Sequence, residues 1–168
     1  MRVFTRANVC VNLLALALVV TALTVGSCRE SIPSEYRSFF DRPLDEQSDE
    51  LQKYPLNKQI DIYLIAVTRI HPPLSHLAID LARHEKKVVP YLVERLREEE
   101  DDELRADIIY VFQWMARLHN YGSEHSFYID YDVRNDLDVV SFLEQVTASL
   151  NGLQRDDAEE SLRVIRGK

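Results

Sequence analysis

Between Asp102 and Asn120 apolar residues return every three or four positions, and this run constrains the fold more than any other part of the chain. Leu104, Ile108, Val111, Phe112, Met115 and His119 fall on one helical face, and Ile109 and Trp114 widen it on opposite flanks. A helix apolar over so much of its circumference must be sandwiched between neighbours. Asn120-Tyr121-Gly122 then supplies C-cap chemistry.

The same period predicts further helices on both sides. One covers 56–70, with Pro55 at its start, Leu56, Ile60, Tyr63, Leu64, Val67 and Ile70 at helical spacing, and Pro72-Pro73 as its stop. Another covers 74–85 with Leu77, Ile79 and Leu81. A third covers 88–99 with Pro90 in its first turn and Val89, Leu92, Val93 and Leu96 as its buried stripe. Val139, Phe142, Leu143, Val146 and Leu150 mark a helix over 137–150, closed by Asn151-Gly152. A last one starts after residue 155, where Asp156 and Glu159 form an approximate capping box, and turns Leu162 and Ile165 inward. The only strand-like run, Phe127 to Val133, reads as an extended loop. The expected fold class is all-α: a short stack of antiparallel helix pairs with about six helices.

The first 27 residues follow a different logic. Arg2 and Arg6 precede an almost wholly apolar stretch from Val9 to Val25, and Gly26-Ser27 precedes Cys28. Charge, apolar core and small residues, in that order, make a secretory signal. The ending Val25-Gly26-Ser27-Cys28 resembles the bacterial lipobox. The resemblance implies a diacylglyceryl group on the Cys28 sulfur, cleavage before Cys28 and acylation of the new amine by a chain such as palmitate. Two or three acyl chains anchor stably, at about 0.8 kcal/mol per buried CH2, where one does not. Competing readings are a plain cleaved signal, a buried helix, and an uncleaved signal anchor, since the apolar stretch is near the ~17-residue lower limit of a spanning helix. Arg29 stands where an Asp would resemble an inner-membrane retention signal, which leans towards the outer membrane. Cys10 would leave with the signal, so Cys28 would survive without a disulfide partner, and lipidation explains a lone exported thiol.

Residues 28–53 read as the lipidated Cys and a polar tether, with Pro33, Pro43 and a charge cluster over 41–50. Tyr36, Phe39 and Phe40 interrupt it and are expected to pack on the domain as a short helix. The helical domain is assigned to 54–168. Within it, Val88-Val89-Pro90-Tyr91-Leu92-Val93-Glu94-Arg95-Leu96, an acidic loop and Asp102-Glu103-Leu104-Arg105-Ala106-Asp107-Ile108-Ile109 resemble a HEAT or armadillo-type unit. That pattern has Pro early in its first helix and Asp-x-x-Arg opening its second, matched by Asp102 and Arg105. The resemblance covers about 35 residues, with a degenerate preceding unit over 56–85, and implies a short capped stack. An irregular helical bundle is the alternative.

Removing Arg2 and Arg6, the charges of the first 27 residues, takes the net charge from −8 to −10. So acidic a domain repels phosphate backbones, which excludes nucleic acid as a partner. Its membrane contact has to be covalent or apolar. After the leader the glycines are Gly122, Gly152 and Gly167, too few and too scattered for a phosphate loop. His71, His76, His84, His119 and His125 show no metal-ligand spacing, although His119 and His125 flank a turn. Asp130-x-Asp132 with Asp136 and Asp138 invites a calcium loop, but Asn135 and Ser141 stand where Gly and Glu belong, and Arg134 occupies a ligand position. Asp136 or Asp138 is instead expected to cap the helix over 137–150. The acids from Glu98 to Glu103 read as a solvated loop or an acidic docking surface. No catalytic constellation, metal or cofactor is expected.

The segment 121–136 combines Tyr121, Phe127, Tyr128 and Tyr131 with Glu124, Asp130, Asp132 and Asp136. Aromatic rings supply rigid contact area and acids add specificity. Tyr121, Phe127, Tyr128, Asp130, Tyr131 and Asp132 are therefore the candidate partner-binding residues; the competing reading packs the rings over the core. Two functions fit: a membrane-anchored binding or scaffold module with a protein partner, or an immunity-type lipoprotein that blocks a secreted toxin. Both place the domain on the extracytoplasmic, periplasmic side of the cell or outer membrane.

Overall fold

The run from Asp102 to Asn120 is one helix over its whole expected length, and the rest of the fold is arranged around it. The computed structural model describes residues 32–167, apart from Glu124 and Phe127. Cys28 and the leader lie outside these residues. Among the described residues the regular elements are eight α-helices and three 3₁₀ turns, with no strand. The helices are α1 (Arg37–Phe40), α2 (Leu44–Leu51), α3 (Leu56–Arg69), α4 (His76–Ala82), α5 (Val89–Glu98), α6 (Asp102–Asn120), α7 (Leu137–Ser149) and α8 (Gly152–Ile165). The described residues are all-α, as expected, with two more helices than the six anticipated.

The central helix α6 packs most extensively on α8 and next on α4, and it also touches α3, α5 and α7. Its Ile108, Ile109, Val111, Phe112, Met115 and Ala116 have no exposed surface, which agrees with the sandwiched position read from its wide apolar face. Leu104, near the N-terminus, is only partly buried. The cap is Asp101, whose Oδ1 accepts from the backbone N–H of Glu103 at 2.8 Å and of Leu104 at 3.3 Å. Asp102 is thereby left to accept from the backbone and side-chain nitrogens of Asn151 at 3.2 and 3.1 Å. Arg105 donates to Ser149 Oγ at 3.0 Å. Asp102 and Arg105 thus bind the start of α6 to the α7–α8 turn.

Two boundaries differ from the sequence reading for local reasons. The helix α8 begins at Gly152, not after residue 155, because extended Leu150 and Asn151 with Gly152 at φ +55° form the entire connection from α7. A side chain at that φ is strained, so glycine suits the junction. The segment assigned to a free tether is folded from residue 32 onward. Phe39 and Leu51 are fully buried, and the Tyr36 hydroxyl donates to Asp61 Oδ2 at 3.1 Å. Burying a ring of that size contributes about 1.5–3 kcal/mol, enough to hold two short helices that have little stability alone. The tether assignment over 28–53 therefore fails for its described part, while the packing expected of Tyr36 and Phe39 is present.

Candidate functional site

The end of α6 and the start of α7 are joined by the aromatic–acidic segment 121–136, which is anchored at its middle. Ile129 is 3% exposed and Val133 is fully buried, so alternate residues of this stretch face the core. His119, on the last turn of α6, is the inner brace: Nδ1 lies 3.2 Å from the Ile129 carbonyl and Nε2 lies 3.7 Å from Asp132 Oδ2. Its ring also packs against Tyr128 at 5.6 Å between centroids. His119 and His125 do not share a partner, since His125 packs against the Tyr121 ring at 6.0 Å.

Asp132 is the polar centre of the segment. Its carboxylate accepts from Arg134 Nε at 2.6 Å, Arg134 Nη2 at 3.0 Å, the Arg134 backbone N–H at 3.1 Å and Asn135 Nδ2 at 3.1 Å. Burial opposes its ionisation, but the Arg134 hydrogen bonds and charge, with His119, outweigh burial and hold the carboxyl below its ordinary range. Tyr131 donates through its hydroxyl to Asp136 Oδ2 at 3.1 Å, while Asp136 Oδ1 caps α7 at the Val139 N–H. Burial first, and then Asp136, push the Tyr131 phenol well up. The backbone N–H of Tyr131 reaches Glu85 Oε2 at 3.3 Å, and Glu85 itself sits at φ +55°.

The candidate residues therefore divide. Tyr128, Tyr131 and Asp132 are half-buried and bonded within the segment; Tyr121 is 47% exposed and Asp130 is exposed beside them. Phe127 lies outside the described residues. Against known proteins, the chain matches no family model, no curated protein and no solved structure.

Two concave surfaces escaped sequence reasoning, and Tyr121 of this segment lines the first of them. One, of about 350 Å³, lies between α4 and α6 with Ser48 of α2 at its edge; Asp80, 4% exposed, accepts there from Ser48 Oγ at 2.7 Å and Arg83 at 3.3 Å. The other is a groove between α6 and α8 whose walls carry Glu103, Asp107, Tyr110, Gln113 and Asp157. Helical spacing places Glu103, Asp107 and Tyr110 on one stripe of α6, the signal that was available; the contribution of α8 is non-local. Among the described residues no cluster of His, Cys, Asp and Glu is arranged to hold a metal ion, and no helix is long and apolar enough to cross a membrane.

Proposed function

We propose that this chain is a lipid-anchored cell-envelope protein whose helical domain binds another protein through the rim at 121–136. The observation that carries the reading is the bracing of that rim. Tyr121 and Asp130, two of its exposed residues, stand on a segment tied down by Ile129, Tyr131 and Asp132. Pre-ordered aromatic and acidic groups lose little conformational entropy on binding, so more of their contact energy appears as affinity. Cys28, directly after Gly26-Ser27, would carry the acyl chains and hold the domain on the extracytoplasmic face of the cell or outer membrane. The domain is read as a scaffold without catalytic residues, cofactor or metal.

The pairs α3–α4, α5–α6 and α7–α8 are read as a short HEAT-like stack. Support comes from their second helices, since α6 packs between α4 and α8, and from Asp102 and Arg105 linking the second pair to the third. Such stacks present surfaces to partner proteins, an argument from fold alone.

Two experiments test the proposal. Metabolic labelling with an acyl-chain probe is expected to mark the wild type and not Cys28→Ala, which also stays unprocessed; equal labelling contradicts the anchor. A photo-crosslinking phenylalanine analogue at position 121 is expected to give a discrete protein adduct in cells. The same analogue at Leu44, which is 62% exposed elsewhere, is expected to give none. Equal adducts from both positions, or none from 121, contradict the binding rim.

A further inference from the structure

The cavity between α4 and α6 is continuous with the rim, since Tyr121, the first residue of the rim, forms part of its wall. Ile79 and Asp80 reach it from α4 together with His76, and Leu118 reaches it from α6 together with Trp114. Its volume of about 350 Å³ is at the small end of the roughly 300–1,000 Å³ usual for ligand sites, so a single side chain fills it.

Two rings of this wall carry an unmade hydrogen bond. Trp114 Nε1 and His76 Nε2 are both closed to solvent, and neither has a partner among the described residues. The other buried side-chain atoms of this kind, on Gln47, Arg95, Arg105 and Thr147, are scattered over four helices, whereas these two share one cavity. An enclosed polar atom without a partner is costly, and water does not reach either nitrogen to relieve the cost. The charge of the cavity, by contrast, is balanced. Asp80, 4% exposed, accepts from Ser48 Oγ at 2.7 Å and from Arg83 at 3.3 Å. A cationic occupant finds no unpaired carboxylate there, and an anionic one is set beside a buried carboxylate that repels it.

We infer that this cavity receives a tyrosine side chain of a partner protein, its hydroxyl accepting from the Trp114 N–H and serving His76 Nε2 as second partner. The inference deepens the reading of the rim as a protein-binding surface and rests on it. The wall selects tyrosine by elimination. An indole N–H only donates, and an imidazole nitrogen donates or accepts according to tautomer; a phenol hydroxyl can serve both, because it has a proton and lone pairs. Lysine and arginine offer the indole no acceptor. A serine or threonine hydroxyl brings no ring to cover Ile79 and Leu118, and phenylalanine covers them without satisfying either nitrogen. Tyrosine also brings rigid contact area at low entropic cost, which makes it frequent among the residues that dominate protein interfaces. Since neither nitrogen touches solvent, entry of the ring turns the wall slightly, and Tyr121 and Arg83 are the exposed parts of that wall that give way.

Trp114 is the only tryptophan of the chain, so its indole N–H gives one unambiguous signal in nitrogen-edited NMR. The full chain in detergent micelles is titrated with the peptide acetyl-Gly-Tyr-Gly-amide, and a saturable shift of that signal is expected. The matching peptides with phenylalanine or glutamine in place of tyrosine should bind at least about fivefold more weakly, as the loss of one hydrogen bond or of the ring requires. In Trp114→Phe, checked as folded by circular dichroism and followed by saturation transfer to the peptide, the preference for tyrosine over phenylalanine should disappear. No saturable shift in the wild type, phenylalanine or glutamine binding as tightly as tyrosine, or an unchanged preference in folded Trp114→Phe would each overturn the assignment. If the variant does not fold, the comparison of the three peptides on the wild type decides. Absence of tyrosine-selective binding with the position-121 adduct retained rejects the cavity and leaves the rim standing; tyrosine-selective binding without that adduct leaves the cavity and rejects the rim.

Discussion

In the rim at 121–136, Asp132 receives four hydrogen bonds from Arg134 and Asn135 and faces His119. In the groove between α6 and α8, Glu103, Asp107 and Asp157 receive no cation among the described residues. Both regions are rich in carboxylates, and both are built on α6. In the first, Asp132 and Asp136 are used internally: they cap turns, hold Tyr131 and Arg134, and fix the shape that Tyr121 and Asp130 stand on. The second leaves Glu103, Asp107 and Asp157 without a cation among the described residues, and pairs only Glu160, with Arg163. Charge composition alone does not mark a binding surface; what matters is whether each charged group already has a partner.

Four substitutions break or sharpen this contrast, in order of decreasing effect. Met115→Asp places an unpaired carboxylate in the fully buried middle of the helix that both regions share. The desolvation cost is several kcal/mol against a total stability of about 5–15 kcal/mol. Rim and groove should be lost together, seen as loss of the cooperative thermal transition. Asp132→Ala should lower stability by about 2 kcal/mol at pH 7, because its side chain is 13% exposed and Arg134 loses a charge-assisted partner. The folded-state pKa of Asp132 is lowered, so its contribution is present above the ordinary carboxylate value and fades as pH falls through the folded value. The difference between variant and wild type in urea unfolding should therefore shrink in strong acid.

Asp107→Asn should act in the opposite direction. The wild-type carboxyl has a folded pKa of about 7 against an ordinary value of 3.8, so ionising it costs stability. The penalty is absent below 3.8, grows through the interval and is complete above 7. The variant should gain about 1 kcal/mol at pH 8, a figure reduced for solvent screening at an open groove, and nothing at pH 3.5. Tyr121→Ala, at a ring 47% exposed, should change stability by less than about 0.5 kcal/mol and act only on partner binding.

The features legible in the sequence were those with local causes. The bounds of α6 are legible because its period is sustained over 19 residues and it ends at turn-forming residues. Asp136 as the cap of α7 was readable because capping acts over three residues. By contrast, α1 and α2 sit in a proline-punctuated, acidic stretch whose local signal says tether; long-range burial of Phe39 and Leu51 overrides it. In the candidate site, the aromatic–acidic segment stood out by composition. The division between exposed Tyr121 and internally bonded Asp132 did not, because it depends on how Arg134 and His119 fold back. The groove was invisible for the same reason: Asp107 and Asp157 meet only when α8 returns along α6.

The contrast between a satisfied and an unsatisfied set of acids is tested most directly by carbon-13 NMR titration of the side-chain carboxyls of Asp132 and Asp107. The two should separate widely, Asp132 titrating below its ordinary range and Asp107 near 7. If Asp107 instead titrates near 3.8 alongside Asp132, the groove acids are already satisfied and the distinction between the two regions falls.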